Sequence, residues 1–276
     1  MHNVKWLVET TAIVDDTEPM VSAFSALGIE YKEIHRNDLY DSNFCFDNLF
    51  DPKDCVVFFG SLNLAKRLRR EAKWIPGAYY NVKEYDCEYY YPHFGDMLLN
   101  RDYMMFPFGE LKRQKEFIYH SLGEDRTIFL RPTRGDKTFT GKTVYKEDFE
   151  KELGIIGFGQ VEPHELIVAA RPLNLVKEWR FVCVQGQVID GSSYKENNRA
   201  GSAPGYTDEA FEMASKVAGM YNPDPAWVID IGLTKGGRYA VVEVGCFSCA
   251  GLYKCNRELV IQNVSRAALE EWEEYQ

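Results

Sequence analysis

The first half of the chain alternates short apolar runs with segments of helical spacing. Residues 5–9 (KWLVE) predict a first strand, and residues 55–59 (CVVFF) are continuously apolar, which is typical of a strand buried in a parallel sheet. Each run is followed by a segment of helical period, the first with Asp16 or Thr17 as its predicted cap and the second at residues 62–72. Strand–turn–helix units of this kind predict an open α/β sheet.

The middle of the chain is aromatic and shows little periodicity. Residues 74–108 are rich in Tyr, Phe, Pro and Gly, so we predict irregular structure there, with one short helix near residues 96–100. Residues 110–122 have helical spacing again. The dense aromatic stretch at residues 79–94 is a candidate surface for a substrate or partner, although aromatic side chains at this density belong more often to the core.

The second half has the pattern of paired strands with helices between them, which predicts an α+β arrangement. Gln185-Gly186 and the segment at residues 235–237 have the composition of hairpin turns. The predicted strands are residues 127–131, 143–144, 165–170, 178–184, 187–189, 227–232 and 239–244, and the predicted helices are residues 208–221 and 267–275.

The overall composition limits the kind of protein that this chain can be. It has 276 residues, of which 45% are hydrophobic and 27% are charged, so it can bury a sizeable core. Disorder and a disulfide-stapled miniprotein are therefore excluded. The formal net charge of -10 disfavours nucleic acid as the main partner, because phosphate backbones are bound by clustered Lys and Arg.

The location of the protein is predicted from what the sequence lacks. No apolar run reaches the roughly 18–20 residues of a membrane helix, and the N-terminal residues lack the pattern of a secretory signal. With seven cysteines, an odd number, we expect a cytoplasmic protein with reduced thiols. The spacing of Cys246, Cys249 and Cys255 raises a zinc site as an alternative, but the pattern lacks a fourth ligand, so core or loop thiols are favoured.

One loop concentrates positive charge in this acidic chain. Arg131, Arg134, Lys137 and Lys142 lie within a few positions of one another, and Asp136 is the single acidic residue among them. A guanidinium can bind phosphate bidentately, an ammonium acts as a point charge, and the backbone N–H groups of such a loop can surround an anion. The sequence therefore predicts a polyphosphate-binding loop, with a solvated basic turn as the alternative.

Two pairs of charged residues lie in predicted strands. Alternation places Glu178 and Arg180 on one face, where they form either an ion pair or part of a nucleotide site in which Arg180 stabilises a transferring phosphoryl group. Asp230 and Glu243 each interrupt a strongly apolar strand of one predicted hairpin. A carboxylate is costly to bury unless it is paired or binds a cation, so the second pair predicts a Mg²⁺ site, with two solvent-facing carboxylates as the alternative.

Taken in chain order, these motifs resemble the ATP-grasp superfamily. The segments FLRP, DKTFTG, EWRF and VVEVGCFSCAGLY resemble its divergent clade marked by an Arg and two Lys. That clade includes bacterial and phage proteins and a eukaryotic cell-division-cycle protein that assists assembly of a translation initiation factor. The N-terminal segments FFGSLNLAKRL and YYNVKEYDCEYYYPHFGDMLLN resemble the region that precedes ATP-grasp in that clade.

The resemblance implies a fold and a division of the chain. We expect a mixed α+β and α/β protein with an ATP-grasp fold at residues 121–276, in which two α+β lobes hold ATP between them. A small Rossmann-like α/β domain at residues 1–120 is expected to precede it.

The resemblance also implies roles for individual residues, with ATP and Mg²⁺ as cofactors. Arg131, Lys137 and Arg180 are the expected catalytic residues, because they would contact the phosphates. A hinge between the lobes is expected to receive adenine through its backbone groups. The expected ATP contacts are Arg131, Lys137, Thr138, Thr140, Gly141, the hinge residues Val168, Ala169, Ala170 and Arg171, and then Glu178, Arg180, Asp230 and Glu243.

The metal ligands that the resemblance implies are Asp230 and Glu243. The family pattern at the second ligand is E-x-N, and in this chain Gly245 stands where the pattern has Asn. One expected oxygen ligand is therefore missing from the sequence.

The activity implied by the resemblance is an ATP- and Mg²⁺-dependent ligase that joins a carboxylate to an amine through an acyl phosphate. The substrates are unidentified, with a peptide or protein as one candidate, whereas membrane and nucleic acid are not expected partners. Tyr194, Lys195 and Arg199 are candidates to orient the carboxylate, although exposed loop residues are the favoured interpretation of these three. Two alternatives use the same fold: an ATP-bound assembly factor that makes no bond, and a phosphotransferase.

Overall fold

The computed structural model describes residues 4–40, 44–136, 138–159 and 161–275, and in this part of the chain the strands form one parallel and two antiparallel sheets. The strands are β1 (Val4–Glu9), β2 (Glu30–Ile34), β3 (Cys55–Phe59), β4 (Ile75–Gly77), β5 (Tyr103–Pro107), β6 (Thr127–Pro132), β7 (Lys142–Tyr145), β8 (Leu166–Ala170), β9 (Leu175–Val184), β10 (Gln187–Glu196), β11 (Arg199–Pro204), β12 (Ala226–Thr234) and β13 (Tyr239–Cys246). The α-helices are α1 (Val14–Leu27), α2 (Leu62–Glu71), α3 (Cys87–Phe94), α4 (Leu111–Leu122), α5 (Phe149–Phe158), α6 (Asp208–Ala218) and α7 (Arg257–Glu274). Short 3-10 helices cover Arg36–Tyr40, Phe46–Asn48, Gly95–Met97, Phe108–Glu110 and Phe247–Cys249.

The first sheet confirms the strand–turn–helix prediction for the start of the chain. Its strand order is β2-β1-β3-β4, and neighbouring strands run parallel. Every residue of β3 is buried, as expected for a strand that is covered on both faces. The helix α2 begins after Ser61, whose side-chain oxygen accepts a hydrogen bond of 3.3 Å from the Leu64 N–H.

The predicted cap of the first helix is wrong. Because α1 begins at Val14, Asp16 and Thr17 lie inside its first turn instead of before it. The Asp16 carboxylate accepts a hydrogen bond of 2.8 Å from the Leu252 N–H and forms an ion pair with Arg257 at the start of α7. This acidic residue therefore serves a contact with the distant end of the chain, which no local pattern reveals.

The aromatic middle of the chain, residues 74–108, is more regular than its composition predicts. It contains β4, α3 and β5, and only a one-turn 3-10 helix lies where the short helix is predicted. The helix α3 buries Tyr90 and Phe94 but exposes Tyr89, so both of its faces are aromatic and no helical period shows in the sequence. Most tyrosines of residues 79–94 are buried, which confirms the core interpretation of this stretch.

The second sheet contains the two predicted hairpins. Its strand order is β11-β10-β9-β12-β13, with antiparallel pairing throughout. The strands β9 and β10 turn at Gln185 (φ 49°) and Gly186 (φ 76°), and a two-residue hairpin turn matches the strand twist when both residues have positive φ. Helix α6 packs on one face of the sheet and α7 on the other. Burial on both faces explains why Asp230 is surrounded by apolar neighbours in the sequence of β12.

The third sheet has the order β5-β8-β6-β7, and its pairings are antiparallel. Helices α4 and α5 pack beside it. Strand β5 comes before the predicted division at residue 120, yet it pairs with β8 from beyond that division. The division into residues 1–120 and 121–276 stays a prediction. The elements α5 and β11 are additional to those that the sequence pattern predicts.

The last helix, α7, begins well before the predicted residues 267–275. Asn256 caps it, since its side-chain oxygen accepts a hydrogen bond of 3.1 Å from the Leu259 N–H. The buried side of α7 includes Val260 and Val264 and packs against α1 and the first sheet. Each helix in the described residues is too short or too polar to cross a lipid bilayer.

Candidate active site

A cavity of about 490 Å³ lies between the second and third sheets. One wall comes from β6 and the loop that follows it, and the other comes from β9, β10 and β13. Leu173 and Asn174, in the connection between β8 and β9, also line it. The cavity therefore brings together most of the segments that the sequence analysis singles out. The predicted ATP contacts that line it are Arg131, Thr140, Gly141, Glu178 and Glu243.

Arg131 extends from the end of β6, and its side chain is 11% exposed. Its Nη1 donates a hydrogen bond of 3.1 Å to the carbonyl oxygen of Val242, and its Nη2 lies 3.3 Å from the Glu243 Oε2. The Val242 carbonyl can accept this bond because β13 has a bulge at that position, which takes the residue out of the regular ladder with β12. A backbone irregularity thus helps to place the first predicted phosphate-binding cation.

Arg180, on β9, faces Asp230 on the neighbouring strand β12. Its Nε and Nη2 donate hydrogen bonds of 2.8 Å each to the two carboxylate oxygens of Asp230, and its Nη1 donates to the Gly251 carbonyl at 3.2 Å. The rings of Tyr194 and Tyr253 lie 5.7 and 5.3 Å from the guanidinium. Burial disfavours the charged form of Arg180, but the Asp230 carboxylate outweighs burial and holds its pKa well above the ordinary value.

The predicted ion pair between Glu178 and Arg180 is wrong, because each residue has a different partner. The Glu178 carboxylate lies 2.8 Å from the Lys195 Nζ and accepts a hydrogen bond of 2.8 Å from the Tyr194 hydroxyl. A bulge at Tyr194 in β10 allows two consecutive side chains to reach one carboxylate. Lys195 therefore lines the cavity instead of occupying an exposed loop, whereas Arg199 is exposed on β11.

Tyr194 connects the two buried carboxylates of this wall. Its hydroxyl lies 2.8 Å from the Glu178 Oε2 and 3.3 Å from the Asp230 Oδ2. Burial raises the pKa of Tyr194 well above its ordinary value, and the two carboxylates add to that effect. The phenol therefore keeps its proton and can donate it in a hydrogen bond to either carboxylate.

The loop after β6 closes one side of the cavity. Lys137 lies outside the described residues, and the side-chain oxygen of Thr138 is buried with no hydrogen-bond partner among those that are described. Asp136 forms an ion pair of 3.0 Å with Lys66 of α2, which ties the loop to the first sheet's helices. A Cβ atom at Gly141 would lie 2.8 Å from an aromatic ring of β6, so glycine allows the loop to pass close to that strand.

The positive charge of this loop is partly neutralised within the protein. Arg134 lies 2.7 Å from Asp136, and Lys142 forms an ion pair with Glu152 of α5. Lys142 therefore holds the loop against α5, whereas the Arg134 pair lies within the loop. Among the described cations of the loop, Arg131 is the one that reaches the carboxylates of the opposite wall.

The predicted adenine-binding residues lie away from the cavity wall. Val168, Ala169 and Ala170 are fully buried in the middle of the third sheet, and each pairs with β5 on one side and β6 on the other. Their backbone groups are therefore engaged in the ladder. Arg171 follows them and lies 3.7 Å from Asp102. The residues that line the cavity come next, in the connection to β9.

Asp230 and Glu243 are directly opposite each other in the β12–β13 pair, so their side chains share one face. Among the described residues, no group of three or more His, Cys, Asp or Glu side chains is arranged to hold a metal ion, and this includes the three cysteines near the end of β13. Mg²⁺ commonly takes one or two carboxylates and completes its shell with water and phosphate oxygens. Two adjacent carboxylates, of which Glu243 lines the cavity, therefore fit the metal that the resemblance implies.

Sequence reasoning missed Tyr253. Its ring stacks on Tyr194 with 4.9 Å between ring centroids, and both rings lie beside the Arg180 guanidinium. The backbone of Tyr253 has φ 51°, a left-handed conformation that is uncommon for a residue other than glycine. Only its position in the Gly-Leu-Tyr segment after β13 is visible in the sequence, and that position carries no signal for a ring contact.

The whole arrangement matches proteins of the ATP-grasp fold. A D-cycloserine synthetase, DcsG, has a TM-score of 0.66 at 13% identity, covering 96% of this chain and 99% of its own. The D-alanine–D-alanine ligase of Bacillus anthracis has a TM-score of 0.65 at 9% identity, with both chains covered completely. The ATP-grasp ligase PsnB, in complex with a minimal precursor, has a TM-score of 0.58 at 12% identity, covering 98% of this chain and 99% of its own. At these identities the likeness shows the fold alone.

The family assignment comes from the sequence itself. Residues 110–263, more than half of the chain, match the model of an ATP-grasp domain family, the second family of the clade named for an Arg and two Lys. The chain belongs to that family. No curated protein matches the chain. The resemblance to the ATP-grasp superfamily and the predicted ATP-grasp fold are both confirmed.

Proposed function

We propose that this protein is an ATP- and Mg²⁺-dependent ligase that joins a carboxylate to an amine. The observation that carries the proposal is a pair of arginines at the cavity of an ATP-grasp fold. Arg131 lines the cavity beside Glu243. Arg180 does not line it, but its guanidinium pairs with Asp230 and lies 4.0 Å from the same Glu243 carboxylate. Guanidinium groups that are positioned before the substrate arrives can stabilise the charge that develops on a transferring phosphoryl group. A site of this kind needs little covalent chemistry from the protein.

ATP would lie along the cavity with its phosphates at the wall that Arg131 and Glu243 form. The loop at residues 138–141, together with Lys137, would cover the phosphates. We assign the adenine contact to Leu173, Asn174 and Leu175 instead of residues 168–171, because the former line the cavity and the latter are buried in β8.

The reaction that we propose has two steps. A carboxylate oxygen of the first substrate forms a bond to the terminal phosphorus of ATP, and ADP leaves. The amine then forms a C–N bond with the resulting acyl phosphate, the C–O bond breaks, and inorganic phosphate leaves with loss of the amine proton. We assign Arg180 to the terminal phosphate, and we assign Tyr194 and Lys195, which line the cavity, to the carboxylate substrate. A peptide or protein is one candidate source of that carboxylate.

Asp230 and Glu243 would hold Mg²⁺, which supplies positive charge to the phosphate oxygens when it is bound. The arginines beside these carboxylates compensate the same negative charge in the protein itself. Gly245 provides no side-chain oxygen, so we expect the two carboxylates to be the protein's full set of metal ligands. The number of Mg²⁺ ions bound per protein molecule in the presence of ATP tests this expectation.

The experiment is release of ADP from Mg·ATP in the presence of mixtures of candidate carboxylates and amines. Glu243→Gln should lower the rate at least about 100-fold, because it removes charge at the reacting phosphates. Glu209→Gln, on the exposed start of α6, is the matched control and should keep the wild-type rate. If Glu243→Gln retains full turnover, the assignment of this wall to the reaction is wrong.

A second candidate function is an ATP-bound assembly factor that makes no bond. The observation that favours it is Gly245, which removes an oxygen ligand that the family pattern expects. Saturable ATP binding without ADP release for any acceptor mixture, together with a stable protein complex, would select it. A phosphorylated product that persists without condensation would instead select a phosphotransferase.

A further inference from the structure

A smaller cavity, of about 270 Å³, lies at the junction of four segments of the chain. These segments are the end of α2, β4 with the residues beside it, the connection before β12 and the last turns of α7. The polar residues that line the cavity are Arg69, Trp74, Tyr79, Asn81, Asp224 and Glu271. Among the described residues, those that line this cavity are all different from those that line the candidate active site. The cavity is therefore a separate candidate site.

The wall of this cavity contains buried polar atoms that lack partners. Trp74 is 5% exposed and Tyr79 is 2% exposed. The Trp74 Nε1–H, the Tyr79 hydroxyl and the Glu271 Oε2 have no hydrogen-bond partner in the described part of the chain. Tyr79 and Glu271 are neighbours, since the Glu271 carboxylate adds to the rise that burial causes in the pKa of Tyr79. Because buried donors are nearly always paired, the Trp74 indole calls for an acceptor from outside these residues.

The charges at this cavity are unbalanced, because two carboxylates and one guanidinium line it. Burial raises the pKa of Asp224 to about 6 and raises the pKa of Glu271 as well, and the Arg69 guanidinium counteracts each effect only in part. The Arg69 Nη1 also donates a hydrogen bond to the carbonyl oxygen of Tyr80. A buried carboxylate is costly without a compensating charge. The cavity therefore favours a cationic ligand over an anionic one.

The two observations define the chemistry of such a ligand. An ammonium group has three N–H donors and can form charge-assisted hydrogen bonds with Asp224 and Glu271. A neutral oxygen of the same molecule can accept from the Trp74 N–H. The methylene groups between them would lie against the apolar part of the wall, which includes Leu68 and Pro76.

We propose that this cavity binds a small primary ammonium ion that also carries a neutral oxygen acceptor. The ammonium group lies at Asp224 and Glu271, and the oxygen accepts a hydrogen bond from the Trp74 Nε1–H. The site is additional to the proposed ligase reaction, and neither proposal depends on the other.

The test is a calorimetric titration of the full chain at pH 8, where Asp224 is ionised. The probes are linear amino alcohols of two to five carbons, with the alkylamines and diols of the same lengths as comparisons. At least one amino alcohol should bind saturably. The matching alkylamine should bind at least about tenfold more weakly, because it leaves the indole N–H unpaired. The matching diol, which lacks the charge, should not bind.

Variants assign the binding to this cavity. Asp224→Asn and Glu271→Gln remove one charge each and should each weaken amino-alcohol binding at least about tenfold. Trp74→Phe keeps a ring but removes the N–H, so it should weaken amino-alcohol binding and leave alkylamine binding unchanged. Glu258→Gln, at an exposed position at the start of α7, is the matched control and should bind like the wild type.

The proposal is wrong if no amino alcohol binds, or if the alkylamine or the diol of the same length binds equally well. It is also wrong if Asp224→Asn and Glu271→Gln bind as tightly as the wild type. An Asn side chain at position 224 can still accept the hydrogen bonds from Asn81 and Tyr85. We therefore expect this variant to fold, and a Tm no lower than that of the wild type at pH 8 distinguishes loss of the site from loss of the fold.

Discussion

At the scale of single residues, Arg180 determines the polar wall of the candidate active site. Both oxygens of Asp230, a residue that is 2% exposed, accept its hydrogen bonds, and the Gly251 carbonyl accepts a third. A buried ion pair of this geometry offsets the cost of desolvating two charges, but removal of one partner leaves the other charge uncompensated. We therefore expect removal of Arg180 alone to lower the free energy of unfolding more than removal of both Arg180 and Asp230.

Arg180→Met should lower the free energy of unfolding by about 3–5 kcal/mol, because it leaves the Asp230 carboxylate buried without its guanidinium. Chemical denaturation measures this change. The double variant Arg180→Met/Asp230→Leu removes both charges and should recover most of the stability, while ATP-dependent turnover stays lost. A single variant as stable as the wild type would show that the pair does not stabilise the sheet.

At the scale of elements, α1 and α7 together hold the turn that follows β13. Asp16 in α1 accepts a hydrogen bond from the Leu252 N–H and pairs with Arg257. Arg257 also donates to the carbonyl oxygens of Tyr253 and Cys255, at 2.6 and 2.5 Å. Because this turn supplies the ring and the carbonyl that contact Arg180, two helices outside the cavity position part of its wall.

Asp16→Asn should lower the free energy of unfolding by about 3 kcal/mol, because the buried Arg257 loses its ion-pair partner. The affinity for Mg·ATP should fall as well, since the turn that carries Tyr253 is less well fixed. Calorimetric titration and denaturation measure the two effects. Asp15→Asn, at the exposed neighbouring position, is the control, and equal behaviour of the two variants would contradict the role given to Asp16.

At the scale of the whole molecule, Asp224 joins the aromatic middle of the chain to the second sheet. Its Oδ2 accepts hydrogen bonds of 2.9 Å from the Asn81 N–H and 2.7 Å from the Tyr85 hydroxyl. Burial raises the pKa of Asp224 to about 6, and these hydrogen bonds only partly counteract it. A carboxyl group whose pKa is higher in the folded state binds its proton more tightly there, so ionisation of this residue at neutral pH disfavours folding.

Asp224→Asn should therefore stabilise the protein at pH 8 and not at pH 4. The Asn Oδ1 can accept both hydrogen bonds, while the charge is removed. The free-energy advantage of the variant should grow between about pH 4 and pH 6 and then level off, at no more than about 3 kcal/mol. Denaturation at several pH values measures it, with the exposed Asp47→Asn as control. If the difference in free energy of unfolding between the variant and the wild type did not change with pH, the raised pKa of Asp224 would be contradicted.

Local patterns predicted the elements that depend on neighbours in the sequence. The apolar run at residues 55–59 predicted a buried parallel strand, and Gln185-Gly186 predicted a hairpin, because burial and turn geometry act on adjacent residues. The aromatic helix α3 was missed, since a helical period shows only when one face is polar.

By itself, the sequence determined the family, the ATP-grasp fold and the presence of charged groups in apolar strands. The tertiary structure decided which of those groups meet. Arg180 pairs with Asp230 instead of Glu178, and Asp16 pairs with Arg257 instead of capping its own helix. These partners are fixed by strand register, by bulges and by the packing of distant helices. A side chain's local spacing says which face it lies on, but only the fold brings that face against another.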